Sequence, residues 1–224
     1  MTTLEERASH SNSRGRRAEA AIPQAADHAS SSGRSMSEPV QELDKFTMPP
    51  GFRGRSAAYV QWWWVVQATL FGLSPQFMYR WRNWLLRMFG ATIGVGVHVR
   101  PSARITYPWK ISIGDWSWVG DGAVVYSLER IVIGRNVSIS QRCYLCAGSH
   151  DYTRRDFAYV LDPAKTRIIV EDEVWLANDV FVGPGVTIGR GAVVGARSNV
   201  FKSLPAMMVC YGSPAEPKKP RTSA

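Results

Sequence analysis

The chain has 224 residues, 45% of them hydrophobic, which is room for one sizeable domain with appendages. Its formal charge of +9 is spread along the chain rather than gathered in one block, which argues against a nucleic-acid partner. Cys143 and Cys146 have C-x-x-C spacing, but Cys210 alone cannot complete a zinc site, so all three read as reduced thiols.

Residues 1–50 are rich in Ser, Ala and Arg, with no aromatic before Phe46, and read as a disordered tail without assigned function. The first thirty residues lack an apolar run and carry Glu5 and Glu6, so no signal peptide is expected and the chain reads as cytoplasmic.

Residues 51–92 form an aromatic, amphipathic segment. The apolar run 59–73 is too short for a bilayer span and is interrupted by Gln61 and Gln67. Ser74-Pro75 breaks the chain, and Pro75 is expected to open the helix that covers 77–89. On that helix Phe77, Trp81, Trp84, Leu85 and Met88 share one face, and Arg80, Asn83 and Arg87 another. Two readings stay open: a cap on the following domain, or a peripheral anchor at the inner membrane surface.

From Ile93 an aliphatic residue recurs every six positions: Ile93, Val99, Ile105; Ile113, Val119, Val125; Ile133, Ile139, Leu145. After a break the series resumes with Val170, Leu176, Val182, Ile188, Val194 and Val200. The fifth position is mostly small or β-branched, in twelve hexads: Val97, Ala103, Ser117, Ala123, Val137, Cys143, Ser149, Val174, Val180, Val186, Ala192 and Ser198. This period fits neither a helix nor strand alternation. It fits a triangular solenoid over 93–205, an all-β fold of about five turns, roughly 24 Å tall at about 4.8 Å per turn. Two residues are inserted before Ile113 and two before Ile133, with Trp109 and Glu129 as misfits; a long loop, 151–169, enters the third turn. All three insertions fall at one corner, and a loop of that length is usually functional. Residues 206–224 are read as a C-terminal tail.

His150 stands where the loop leaves the prism. His98, the other histidine of the repeat region, is expected to face solvent on a wall; two histidines on different turns do not make a three-histidine zinc site.

Residues 75–215 resemble the hexapeptide-repeat acyltransferases of exopolysaccharide synthesis, in particular the colanic-acid-biosynthesis O-acetyltransferase group. The likeness rests on Trp81-Arg82 through Ala91, on Ile139-Ser140-Gln141, and on Tyr144-Leu145-Cys146-Ala147-Gly148-Ser149-His150-Asp151-Tyr152-Thr153. It continues in Val174-Trp175-Leu176, in Val182 through Gly189 and in Ala192 through Ser198. The resemblance implies a left-handed parallel β-helix preceded by helices, and acetyl transfer from acetyl-CoA, without a metal, to a saccharide hydroxyl. It implies His150 as general base, with Asp151 orienting the imidazole. It also implies Trp175, Asn178, Gly195, Ala196 and Lys202 along the coenzyme A groove, and a homotrimer with sites between prisms. Tyr152 and Arg154, with Arg155 and Asp156, are the expected acceptor contacts, the acceptor being a lipid-linked or nucleotide-linked saccharide. An N-acetyltransferase and a non-catalytic scaffold remain the alternatives. Two departures from the family pattern stand out: Phe201 precedes Lys202 where Thr is common, and Glu216 follows Gly212-Ser213-Pro214-Ala215 where a basic residue is common.

Overall fold

A computed structural model describes residues 39–222. Short strands stack into three parallel walls. The first wall runs Thr92–Ile93, Ile111–Ile113, Ile131–Ile133, Ile168–Val170 and Thr187–Ile188. The second wall begins with His98–Val99, Trp118–Val119, Ser138–Ile139, Trp175–Leu176 and Val193–Val194. The third wall holds Arg104–Ile105, Val124–Tyr126, Tyr144–Cys146, Phe181–Val182 and Asn199–Val200.

The hexad reading sets this register. Ile113 lies over Ile93 and under Ile133, Val119 lies over Val99, and Leu145 lies between Val125 and Val182. All fifteen aliphatic positions are buried, and they form one continuous core. Eleven of the twelve fifth positions are buried as well; the exception is Ser149, beside the loop. Each turn therefore depends on its neighbours to exclude water from its inward residues. Gly114 shows why a corner must be bare: a Cβ there would sit 2.6 Å from the backbone carbon of Gly134 in the next turn.

Two differences from the expected boundaries appear at the C-terminal end. Five full turns are followed by a partial sixth. Met208–Gly212 pairs parallel with Val193–Val194 and then turns back as an antiparallel hairpin with Ala215–Pro220. The segment read as a tail therefore extends and closes the second wall.

The first turn is closed by helices. Helix α1 (Ala57–Val66) continues through a π-helical turn (Gln67–Phe71), and α2 (Tyr79–Met88) follows. Pro75 lies in the preceding turn instead of opening α2; its carbonyl accepts from Met78 N at 3.0 Å. An open solenoid end presents unpaired backbone groups, and here side chains satisfy them. Trp63 Nε1 donates to Ile105 O, Asn83 Nδ2 to Val97 O, Arg82 Nε to Val99 O and Arg87 to Ile93 O. Gln67 Oε1 accepts from Ile105 N. Trp63, Phe71 and Leu86 are fully buried beneath this layer. Among the described residues no helix is long and apolar enough to cross a membrane.

Residues 1–38 of the expected tail lie outside the described residues. Residues 39–50 are placed, and they pack on the loop. Phe46 and Phe52 are large apolar groups that find cover there: both rings contact Tyr159, at 5.4 and 4.3 Å between centroids.

Candidate active site

The three insertions stack at the corner between the third and first walls. Trp109 Nε1 donates to Arg53 O, Glu129 N to Ala147 O, and Ile168 N to Arg130 O. The long loop begins as a short antiparallel arm. His150 bridges Tyr159, Asp151 N donates to Ala158 O, and Val160 N to Ser149 O. A short helix, α3 (Pro163–Thr166), capped by Asp162, returns the chain to the prism.

His150 is half-buried, and its ring is held on several sides. Phe157 stacks on it at 4.3 Å with planes 9° apart, Tyr159 lies at 4.3 Å, and Phe46 tilts against it at 5.9 Å. Its Nδ1 is 2.6 Å from Phe157 O. A carbonyl oxygen can only accept, so this contact places the neutral ring's hydrogen on Nδ1 and leaves the Nε2 lone pair open. Among the described residues none bonds Nε2. The ring borders a cavity of about 610 Å³, also lined by Tyr152, Arg154, Tyr159, Lys165 and Pro184.

The expected orienting role of Asp151 needs correction. Its Oδ1 accepts from Thr153 N and from Thr153 Oγ1 at 3.0 and 2.6 Å, so the side chain shapes the loop and not the imidazole. The Thr153 hydroxyl and N–H hold this carboxyl below its ordinary value. The atom bonded to the imidazole is the Phe157 carbonyl oxygen, a backbone atom that no side-chain pattern announces. Phe46, Phe157 and Tyr159 are the other site residues the sequence reading missed. The cue for Phe46 was its being the first aromatic after a long polar run.

Of the residues expected at the acceptor, Tyr152 and Arg154 are among those that line this cavity. Tyr152 is exposed at its lip, and Arg154 makes a bidentate pair with Asp156 at 2.9 and 2.7 Å. The Arg154 guanidinium keeps the Asp156 carboxyl below the usual range. Arg155 O accepts from Glu42 N, another tie from the N-terminal segment to the loop.

The expected coenzyme residues occupy a different corner. Trp175 projects outward from the second wall, half-exposed, and its Nε1 donates to Ser140 Oγ at 3.1 Å. Asn178 and Ala196 are exposed at the corner leading into the third wall, and Arg197 N donates to Asn178 O across the turn. Gly195 lies against Tyr211 of the hairpin, where a Cβ would meet Tyr211 Cβ at 2.8 Å. Lys218 Nζ sits 5.9 Å from the Tyr211 ring and 2.9 Å from Glu216 Oε2. Lys218 holds the Glu216 carboxyl below its ordinary value, and exposed Lys202 adds to this. Glu216 is thus ion-paired rather than a bare negative charge. His150 and this strip stand at opposite edges of the third wall, and among the described residues no hydrogen bond or ion pair joins them.

The other candidates have structural settings. His98 is half-buried between Tyr79 and Trp118, at 4.4 and 4.7 Å, rather than open on the wall. Burial pushes the Cys143 thiol up to about 11, and its Sγ faces Ala177 O at 3.0 Å.

Stacked hexads, a helical cap and a loop-borne histidine with a free ring nitrogen define a hexapeptide-repeat β-helix with an enzyme-like site. No family model matches the chain. It is 56% identical over 176 residues to the Escherichia coli (strain K12) protein that bears the name colanic acid biosynthesis acetyltransferase WcaF, covering 79% of this chain and 94% of that one. Its fold is similar to that of a Vibrio cholerae hexapeptide-repeat acetyltransferase complexed with acetyl coenzyme A, with TM-score 0.66, 24% identity, and coverage of 76% and 92%. It is similar also to a galactoside acetyltransferase in complex with coenzyme A, with TM-score 0.68, 24% identity, and coverage of 78% and 84%. The chain belongs to the colanic-acid-biosynthesis acetyltransferase group of left-handed β-helix, hexapeptide-repeat proteins. It is an acyltransferase.

Proposed function

We propose that this protein transfers an acetyl group from acetyl-CoA to a saccharide hydroxyl during polysaccharide biosynthesis, with His150 as general base. The observation that carries the reading is the His150 geometry: Nδ1 is committed to Phe157 O, and Nε2 is free at the edge of a cavity wide enough for a sugar. A base must be neutral and within hydrogen-bond reach of the proton it takes, and this tautomer presents only Nε2 for that task. The names of the relatives support the donor and the polysaccharide setting.

Acetyl-CoA would supply the acetyl group as an activated thioester. The exposed strip of Trp175, Asn178, Gly195 and Ala196 fits an extended amide-bearing chain, and Lys202 and Lys218 fit its phosphates. His150 Nε2 removes the hydroxyl proton, and the Phe157 carbonyl steadies the imidazolium that forms through Nδ1–H. The hydroxyl oxygen would bond to the acetyl carbon as the thioester C–S bond breaks, and the ring would return the proton to the departing coenzyme A sulfur. Tyr152 and Arg154 at the lip would contact the acceptor.

Because His150 and the coenzyme strip lie at different corners, the working site would form between neighbouring prisms of a homotrimer. Mixing two variants tests this arrangement. His150→Ala and Ala196→Trp, each alone, should show little acetyl-CoA turnover with saccharide acceptors. Mixed trimers should regain measurable turnover, because some interfaces pair an intact base with an intact strip. No recovery after verified subunit exchange would place the whole site in one protomer and overturn the shared-site reading.

A further inference from the structure

The outer side of the helical cap is apolar where the prism beneath it needs nothing from it. The inward residues of α1 and the π-helical turn are fully buried, Trp63 and Phe71 in the prism core and Val60 against Tyr107 and Leu128 at the insertion corner. On the outward side Trp62, Leu73, Phe77, Trp84 and Met88 are 58%, 79%, 80%, 48% and 61% exposed. Trp81 joins the two segments, since its Nε1 donates to Leu70 O and its ring stacks on Trp84 at 5.1 Å. Trp81, Trp84 and Met88 share helical spacing on α2, and exposed Phe77 lies in the turn just before it. A contiguous apolar surface of this kind marks an interaction site.

Charge narrows the partner. Between residues 46 and 114 there are eight Arg or Lys side chains and no Asp or Glu. Arg80 is exposed beside the stripe, and Arg87, also exposed, keeps its guanidinium at the helix edge by donating to Ile93 O and Gly94 O. Indole and phenyl rings at the surface, flanked by arginines and free of acids, match a bilayer interface. There the rings settle at the headgroup level and the cations meet anionic lipid.

We propose that the outward face of α1, the π-helical turn and α2 seats the protein on an anionic lipid bilayer, without crossing it. The axis of the prism then points away from the membrane. His150 lies two turn spacings from the first turn, roughly 10 Å, beyond a helix layer about 10 Å thick. The site would therefore work on a saccharide carried some 20 Å out from the lipid surface.

Vesicle co-sedimentation of the full chain tests this independently of acetyl transfer. Wild type should pellet with phosphatidylglycerol vesicles and at least tenfold less with phosphatidylcholine vesicles, and 1 M salt should weaken the binding. Leu73→Ser with Phe77→Ser should lower binding at least tenfold while the melting temperature stays put, because both side chains are almost bare. Arg80→Glu should weaken binding to anionic vesicles only. Wild type left in the supernatant with phosphatidylglycerol overturns the proposal. So does unchanged binding of the double variant. If light scattering instead shows self-association that the double variant abolishes, the face belongs to a second copy, and the lipid assignment falls.

Discussion

His150→Ala should lower kcat for acetyl transfer by roughly 10²–10⁴, with coenzyme A binding intact, since that is the usual contribution of a positioned general base. Coenzyme affinity should survive because the proposed coenzyme contacts are Trp175, Asn178, Gly195, Ala196 and Lys202, and His150 is not among them. Calorimetric titration with coenzyme A beside steady-state kinetics separates the two quantities. Asp151→Asn supplies the contrast. If the Phe157 carbonyl alone orients the imidazole, this variant should keep kcat within about threefold of wild type, because Asp151 bonds only Thr153. A drop of a hundredfold in Asp151→Asn would return the orienting role to the carboxylate.

Arg82→Ala should destabilise the protein by about 3–5 kcal/mol, the largest loss expected from a single polar side chain here. The Arg82 side chain is fully buried and bonds to four oxygens: Val99 O, Ser74 Oγ, Pro75 O and Gln76 O. Removing it strands the buried Val99 carbonyl and detaches the α1–α2 connection from the first turn. Desolvation lowers the guanidinium's pKa, but an arginine side chain stays charged in a protein. Thermal melting should fall by roughly 10 °C for a chain of this size. Arg80→Ala, on the exposed side of the same helix, should stay within about 0.5 kcal/mol. Equal melting of the two variants would mean that the cap is held by its apolar contacts alone.

The prism was legible because its constraint repeats. Every inward position must be aliphatic to exclude water, so fifteen residues from Ile93 to Val200 carry the same message. The corner insertions were legible for the same reason, as interruptions of a strict register. The end of the prism was not, because Cys210 takes the column of Val194 only sixteen residues later, and a thiol there breaks the aliphatic pattern. Pro75 misled about the start of α2, since a proline suits a turn as well as a first helical position. At the site, His150 was visible through its loop. Its orienting partner was not, because any residue at position 157 offers a carbonyl. Phe46 was hidden for another reason: it reaches the imidazole from more than a hundred residues away, and it lay in a segment whose composition resembles disorder.

The most direct test of the account is the chemical nature of the product. Wild-type protein would be incubated with acetyl-CoA and a panel of lipid-linked and nucleotide-linked saccharides, and the acetylated product treated with mild alkali. The account predicts acceptor-dependent release of coenzyme A and an acetyl group that alkali removes, as an ester does. An alkali-stable acetyl group would mark an amide and an amino acceptor. Coenzyme A release without any acetylated saccharide would contradict the assignment of a sugar hydroxyl to the His150 cavity.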